Sequence, residues 1–523
     1  MIRTRRHLAV AMACVAALVT AACSGPATET STGPSGPTGP PVRGGTARLL
    51  MINEPRSLDP AALSNVWAYE AALGNALYGT LMTNDVRTGE IGYKMAESFT
   101  TDDDGKSFVL KLREGLTFSD GESLDAAAVK FNWDRIRDPA TASSSLRYAA
   151  QIASTEVVDA TTLRIRLRAQ VPSYAQNVVV GAMNWIASPA ALKQGRRAFD
   201  ARPIGAGPFV LESWSRQDKI ELERNPRYWD APKPYLDGIT VRSTADTMQR
   251  LSTLLSGDVD VVVDTSWKSI AKAREAGFAT DVVEMSGGQA LFMNTRRPPF
   301  DDIRARRAVS AAMDVDATNL SQYNGHGEVP RRLFAESSPF YSDVELRKHD
   351  KALAQKLFDE LAAEGEPVSF TFTAQNSTES LGVAESVQAQ LGAFENVDVE
   401  IRTIASAETA KVYGSHDFEM LISSTLMVDP EPQLWAGYHG RSRSNMSGVD
   451  DPQLNAALEK GRTSSSLEER KAAYKVVQER VAALVPAIYY TRAAPAVETA
   501  ANVHGAEQYG FGSLLPEELW MER

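Results

Sequence analysis

The sequence predicts a mixed α/β protein built from two or three lobes, and three observations carry that prediction. The chain of 523 residues is too long for one hydrophobic core. Beyond residue 44, stretches with a two-residue apolar period mix throughout with stretches of helical period. The only cysteines, Cys14 and Cys23, precede that region. The folded body therefore rests on apolar burial, without a disulfide, a thiolate metal site or a thiol nucleophile. Hydrophobic content of 43% and charged content of 23% are those of an ordinary soluble protein.

The N-terminus reads as an export address. Arg3, Arg5 and Arg6 precede an apolar stretch, residues 8–19, that is too short to span a bilayer well. It ends in Thr20-Ala21-Ala22-Cys23, small residues before a cysteine that resemble a bacterial lipobox, although Leu is usual where Thr20 stands. In that reading residues 1–22 are a signal peptide and Cys23 becomes the lipid-modified first residue. The other reading is an ordinary secretory cut near Ala22, with Cys23 incidental. Residues 24–41 are almost all Ser, Thr, Gly, Pro and Ala. Such a stretch buries no apolar surface, so residues 23–43 are expected to be a disordered tether.

The elements follow in order. Residues 46–51 read as a first strand after Gly44-Gly45, and a loop with Pro55 and Pro60 comes next. Residues 66–81 have helical spacing. Phe108, Leu110 and Leu112 alternate with Ser107, Val109, Lys111 and Arg113 behind Asp104-Gly105, which predicts a hairpin. A calcium loop at Asp102-Asp103-Asp104 is excluded because no acidic ligands continue at the required spacing. A helix over 126–137 stops at Asp138-Pro139, and residues 162–168 alternate as a strand with Arg164, Arg166 and Arg168 on a solvated face. Gly205-Ala206-Gly207-Pro208 is a backbone turn that lacks the third glycine of a dinucleotide loop. A helix over 245–256 places Met248, Leu251 and Leu255 on one face, Gly257 stops it, and residues 259–263 form a buried strand. Asp301-Asp302 opens a helix with Ile303, Val309 and Met313 as its apolar positions. Ser466 and Glu469 form a capping box. The helix behind it is expected to bury Leu467, Tyr474, Val477, Val481 and Leu484 and to end near Pro486, leaving residues 487–490 as a terminal strand. No short-period repeat is visible.

Composition and motifs narrow the function. The formal net charge is −11 and no long basic run occurs, which argues against nucleic acid as a partner and against broad electrostatic contact with an anionic membrane. None of the six histidines is paired at ligand spacing, and neither His-Glu-x-x-His nor Gly-x-Ser-x-Gly is present. The expectation is a protein without cofactor, metal or catalytic residues. A secreted hydrolase is the rival class, since one sequence with many carboxylates does not single out a catalytic pair.

Several stretches together resemble the peptide/nickel-type solute-binding proteins of ABC importers, family 5. They are Leu58-Asp59-Pro60 with Tyr78-Gly79-Thr80-Leu81; Ala96-Glu97-Ser98-Phe99 through Asp104-Gly105-Lys106; and Leu112-Arg113-Glu114-Gly115-Leu116-Thr117-Phe118-Ser119-Asp120-Gly121 with Ala128-Val129-Lys130-Phe131. Further on come Pro203-Ile204-Gly205-Ala206-Gly207-Pro208-Phe209 with Arg224-Asn225-Pro226-Arg227-Tyr228-Trp229, then Phe292-Met293-Asn294-Thr295 with Pro299-Phe300-Asp301-Asp302, and Asp429-Pro430-Glu431 onward to Asp451-Pro452. Each piece is weak alone; their order over more than 400 residues makes the likeness specific. The resemblance implies a type II periplasmic-binding-protein fold (class C), with two ligand-clamping lobes closing about a hinge and an extra lobe. It implies residues 44–78, 197–285 and 490–523 for the first lobe, 79–196 for the extra lobe and 286–489 for the third. It also implies a monomer at the outer face of the cytoplasmic membrane that hands a peptide-like or similarly sized solute to a permease and ATPase complex. A lipid-anchored binding protein serving a sensor would share the same residues.

The resemblance also places candidate ligand contacts. The segment after Leu-Asp-Pro gives Ser64, Asn65, Val66 and Trp67, and the segment before Asp429-Pro430 gives Ser424, Thr425, Leu426 and Met427. Trp267, Trp435 and Tyr438 are candidate flat apolar walls, with core packing as the alternative for each. Peptide binders of the family carry an aspartate three residues before the Asp-Pro, where it pairs with the ligand's amino group. Here that position is Leu426. Asp429 and Glu431, beside Pro430 and Pro432, read as a surface turn. The expectation is a pocket without an amine–carboxylate pair, suited to a blocked peptide, a modified amino acid, a sugar or a hydrophobic metabolite.

Overall fold

The computed structural model describes residues 39–405 and 408–522. The expected signal peptide, residues 1–22, together with Cys23 and most of the expected tether, lies outside the described residues.

Three larger sheets organise the chain. A seven-stranded sheet runs in the order Ala279–Val282, Ala496–Thr499, Val261–Asp264, Thr46–Met51, Gly238–Ser243, Lys219–Arg224, Phe209–Ser215. Its central strand Thr46–Met51 is parallel to both neighbours and the outer pairs are antiparallel. A five-stranded sheet runs Val397–Ile404, Val368–Gln375, Met420–Met427, Ser286–Met293, Ala487–Thr491. A four-stranded antiparallel sheet is formed by Ala96–Thr100, Ser107–Leu112, Thr162–Leu167 and Ile152–Val157. Alternation built that last sheet as expected. Phe108, Leu110 and Leu112 point into the core, and Arg164 and Arg166 lie on the solvated face.

Local chemistry sets the helix ends. Asp125 caps the helix Ala126–Arg137 by accepting from Ala128 N at 2.8 Å. Arg135 in its last turn forks onto Asp59 at 3.0 and 2.5 Å, and Asp59 also accepts from Ala61 N at 3.0 Å. The Leu58-Asp59-Pro60 stretch is therefore a corner locked by an ion pair. Gly207 lies so close to the helix Ala71–Tyr78 that a Cβ there would stand 2.3 Å from the Ala76 carbonyl oxygen.

Four expectations need correction. The helix foreseen over 66–81 is only Ala71–Tyr78. Tertiary bonds from Ser64 N to Glu70 and from Trp67 N to the Phe511 carbonyl hold residues 64–70 as a loop. In the helix Thr247–Leu255, Leu251 and Leu254 are buried, while Met248 and Leu255 are 52% and 49% exposed. Arg250 takes the inward place because its guanidinium bonds the Thr244 and Ala245 carbonyls and Asp264. Ser466 caps Leu467–Leu484 by accepting from Glu469 N at 3.4 Å, but the Glu469 carboxylate bonds Lys460, and Leu467 is exposed in the first turn. Ala487–Thr491 is a strand but not a terminal one, since the chain re-enters the seven-stranded sheet at Ala496–Thr499.

The two parts of a clamp are visible in this connectivity. The chain leaves the seven-stranded sheet after Val282, enters the five-stranded sheet at Ser286, and returns between Thr491 and Ala496. The two crossings run side by side, with Val283 N donating to the Pro495 carbonyl at 2.9 Å. One large apolar cluster unites the seven- and four-stranded sheets, and two others pack on the five-stranded sheet. Partly buried residues carry apolar contact between these groups: Leu426 and Val428 pack on the first cluster, and Trp267 on one of the others. Paired crossings with separate cores are the architecture of a hinge.

Candidate ligand-binding cleft

A cavity of about 460 Å³ lies where the crossings pass from one sheet to the other. One wall is the loop Val66 to Tyr69. Asn65 fixes that loop from beneath: its amide donates to the Val179 carbonyl at 2.9 Å and to the Tyr509 hydroxyl at 3.1 Å, and accepts from Ser513 Oγ at 2.6 Å. The buried indole Nε1 of Trp67 has no hydrogen-bond partner among the described residues. An unmet buried donor costs about 1–3 kcal/mol.

The opposite wall is the end of the strand Met420–Met427. It pairs along its length with Ser286–Met293, from Met420 opposite Met293 to Met427 opposite Ser286. On its other edge the strand Val368–Gln375 matches only Met420 and Leu421 and then diverges. Among the described residues, the edge at Ser423 to Leu426 is thus left without a strand partner, beside the cavity that Ser424, Thr425 and Leu426 line. Gly287 and Gly288, at φ of +79° and +145°, make the close pairing possible: a Cβ on Gly287 would meet the Thr425 carbonyl oxygen at 1.8 Å.

Of the residues singled out from the sequence, the structure brings Val66, Trp67, Trp267, Ser424, Thr425 and Leu426 together around this cavity. The others stand outside its lining. Ser64 and Asn65 are spent on supporting the loop. Met427 is buried on the core side of its strand. Tyr438 is also buried, with its hydroxyl 2.6 Å from that of Tyr489. Trp435 stacks on His439 and donates to Glu459 at 3.2 Å.

Four polar residues of the wall carried no signal in the sequence. Arg147, on the short helix Leu146–Ala149 of the four-stranded lobe, donates to the Tyr148 hydroxyl at 2.8 Å and shows no carboxylate partner among the described residues. Glu379, in the first turn of Thr378–Leu391, accepts from the Tyr323 hydroxyl at 2.5 Å. Burial foremost, with Tyr490 and Glu379 nearby, holds that hydroxyl protonated far above its ordinary range. Gln289 completes the floor, and Arg492 closes the hinge side. Leu426 stands in the wall at the position the resemblance singles out, and Glu379 puts a carboxylate elsewhere in the same wall.

The surface turn foreseen at Asp429 and Glu431 is corrected as well. Asp429 accepts twice from Arg470 Nη2, at 2.7 and 2.9 Å. Glu431 is 2% exposed and stands 3.3 Å from Arg462 Nε without hydrogen-bond alignment. Burial pushes its carboxyl up to about 8. The packing of the helices Pro452–Thr463 and Leu467–Leu484, remote in sequence, supplies both arginines.

Comparison with known proteins decides the family. Residues 90–445 match the family described as bacterial extracellular solute-binding proteins, family 5 Middle. The chain belongs to this family. Among its family relatives, the glutathione-binding protein GsiB of Shigella boydii serotype 4 (strain Sb227) is 29% identical over 305 residues, covering 57% of this chain. The match spans 58% of that relative's length. Among solved structures, the PBP AgaA from A. tumefacien R10, in complex with agropinic acid, superposes with a TM-score of 0.77 at 24% identity. The DppA periplasmic binding protein from Helicobacter pylori, in complex with peptide STSA, gives the same TM-score and identity. Each covers 92% of this chain and 99% of its own. The fold is thus the type II periplasmic-binding fold, with two clamping lobes, a hinge and an extra lobe. No helix among the described residues is long and apolar enough to cross a membrane.

Proposed function

We propose that this family 5 protein is the solute-binding component of an ABC importer, and that it captures an amphoteric, peptide-like solute in the cleft without altering it. The observation that carries the reading is the unpartnered strand edge at Ser423 to Leu426, set in a wall of the hinge cavity. An extended backbone laid along that edge gains main-chain hydrogen bonds regardless of its side chains. The charges fit the same ligand. Glu379 offers a carboxylate to an ammonium, while Arg147 offers donors to a carboxylate or carbonyl. The names of the relatives, which bind glutathione, agropinic acid and a peptide, support a small amphoteric solute.

The rest of the reading follows from position in the chain. The first lobe is assigned to residues 44–78, 197–285 and 490–523, the extra lobe to 79–196 and the third to 286–489. Cys23 carries lipid after cleavage of residues 1–22, and the stretch to residue 43 tethers a monomeric body to the outer face of the cytoplasmic membrane. A singly acylated chain binds a membrane reversibly, whereas a multiply acylated cysteine holds it. A direct test incubates the protein with dipeptides and recovers them. Intact recovery with saturable binding supports the proposal, and hydrolysis by the purified chain contradicts it.

A further inference from the structure

A second cavity of about 450 Å³ opens beside the first and shares Tyr69, Gln289, Glu379 and Ser424 with it. It occupies the gap left where the strand Val368–Gln375 diverges from Met420–Met427, with Thr373 and Gln375 on one side and Ser423 on the other. Tyr413 donates across its base to the Ile422 carbonyl at 2.8 Å.

Its lining differs in kind from that of the first cavity. Nine of its fifteen described lining residues carry a hydroxyl, two are glutamines, and one alone, Glu379 at the shared neck, is charged. The buried Thr409 Oγ1 has no hydrogen-bond partner among the described residues. An anionic group entering here would meet no cation among the described lining residues, and an apolar group would displace water from a polar lining in which Thr373, Ser377, Ser380 and Tyr413 already bond within the protein and Thr409 Oγ1 does not. An uncharged group dense in hydroxyls or amides meets neither penalty.

We propose that this cavity is a second subsite, taking an uncharged hydroxyl- or amide-bearing arm of the same solute whose ammonium sits at Glu379. The inference rests on the amphoteric, peptide-like reading of the first cavity. The arm branches next to the ammonium, so in a dipeptide it is the side chain of the first residue. Specificity then arises because arms of the wrong polarity leave buried groups unpaired.

Calorimetry on the mature chain with four probes tests this: Ala-Gly, Leu-Gly, Gln-Gly and O-glucosyl-Ser-Gly. Gln-Gly, O-glucosyl-Ser-Gly or both are expected to bind at least tenfold more tightly than Ala-Gly and Leu-Gly, and whichever is tighter tells an amide arm from a sugar arm. Thr409→Val and Gln375→Leu, which line the second cavity and not the first, are each expected to erase most of that preference while leaving Ala-Gly affinity within about twofold, which also shows that the variants fold. Equal binding of all four probes, a preference for Leu-Gly, or an unchanged preference in both variants would overturn the subsite and leave the peptide-like reading standing. Binding of none of the four overturns both.

Discussion

The indole Nε1 of Trp267 donates a 3.0 Å hydrogen bond to the carbonyl oxygen of Arg492. Trp267 opens a helix packed on the seven-stranded sheet, and Arg492 begins the crossing that returns from the five-stranded one. Both line the first cavity. The Arg492 guanidinium turns the other way. Its Nε donates to Glu328 at 2.8 Å, and its Nη atoms reach the carbonyls of Gly287, Arg332 and Phe334 at 3.0, 3.2 and 3.3 Å. One residue thus ties both crossings to a neighbouring loop at the edge of the ligand site.

Arg492→Met is therefore expected to destabilise the protein by about 2–4 kcal/mol, because several buried carbonyls lose their donor together. Urea unfolding measures it. Trp267→Phe, which loses one hydrogen bond, should cost about 1 kcal/mol. An Arg492→Met variant as stable as the natural chain would show that the carbonyls find water instead.

Glu379→Gln keeps an acceptor for Tyr323 but removes the charge. Free-amine dipeptides should bind at least tenfold more weakly to it, in the range of about 1.5–3 kcal/mol for a hydrogen bond to a charged group. N-acetylated dipeptides should be unaffected. Leu426→Asp adds a second carboxylate to the wall and should raise the preference for free amines over acetylated peptides. Equal loss for both peptide forms in Glu379→Gln would place the amine anchor elsewhere.

The sequence carried the fold much further than it carried the site. Local signals sufficed for the helix Ala126–Arg137, which has its cap and stop in the chain itself, and for the strands around Phe108 and Ile165, which alternate cleanly. Where tertiary partners decided, local reading lost. Arg250 turned inward only because Asp264 waits there, and Glu431 is buried only because the last long helices cover it. The candidate contacts divide in the same way. Trp67, Ser424 and Leu426 stand on segments that motif position locates. Glu379 and Arg147 are ordinary charged residues at the starts of helices, and only the assembled lobes bring them to one cavity.

Glu431 predicts a dependence of stability on pH. Burial, opposed by Arg462 and Arg470 and reinforced by Asp429 and Glu459, lifts its carboxyl from 4.5 to about 8. The folded state thus binds this proton more tightly than the unfolded state. The stability Glu431 contributes is full below its unfolded value and is lost as pH rises through the folded one. The Tm of the natural chain should fall between about pH 5 and about pH 8.5, and Glu431→Gln should reduce that fall. Glu498 and Glu517, raised to about 8 and about 7, keep part of the slope in the variant. Superimposable profiles for the two proteins would mean that Glu431 stays ionised beside Arg462.

Cys23→Ala should release the protein from the membrane fraction into the soluble extracytoplasmic fraction, while the mature body keeps its affinity for ligand. Cell fractionation and immunoblotting measure it. A natural chain already in the soluble fraction and unmoved by the substitution would favour the ordinary secretory cut with Cys23 incidental, and unchanged membrane retention would show an anchor other than Cys23.

The cleft is expected to hold one small amphoteric solute and to return it unchanged. Native mass spectrometry of the mature protein, loaded with a mixed dipeptide pool and then gently denatured, tests it most directly. A single added mass per chain, release of that compound intact, and loss of the added mass in Glu379→Gln are expected. A chain that retains nothing from the pool, or that releases hydrolysed products, would contradict it.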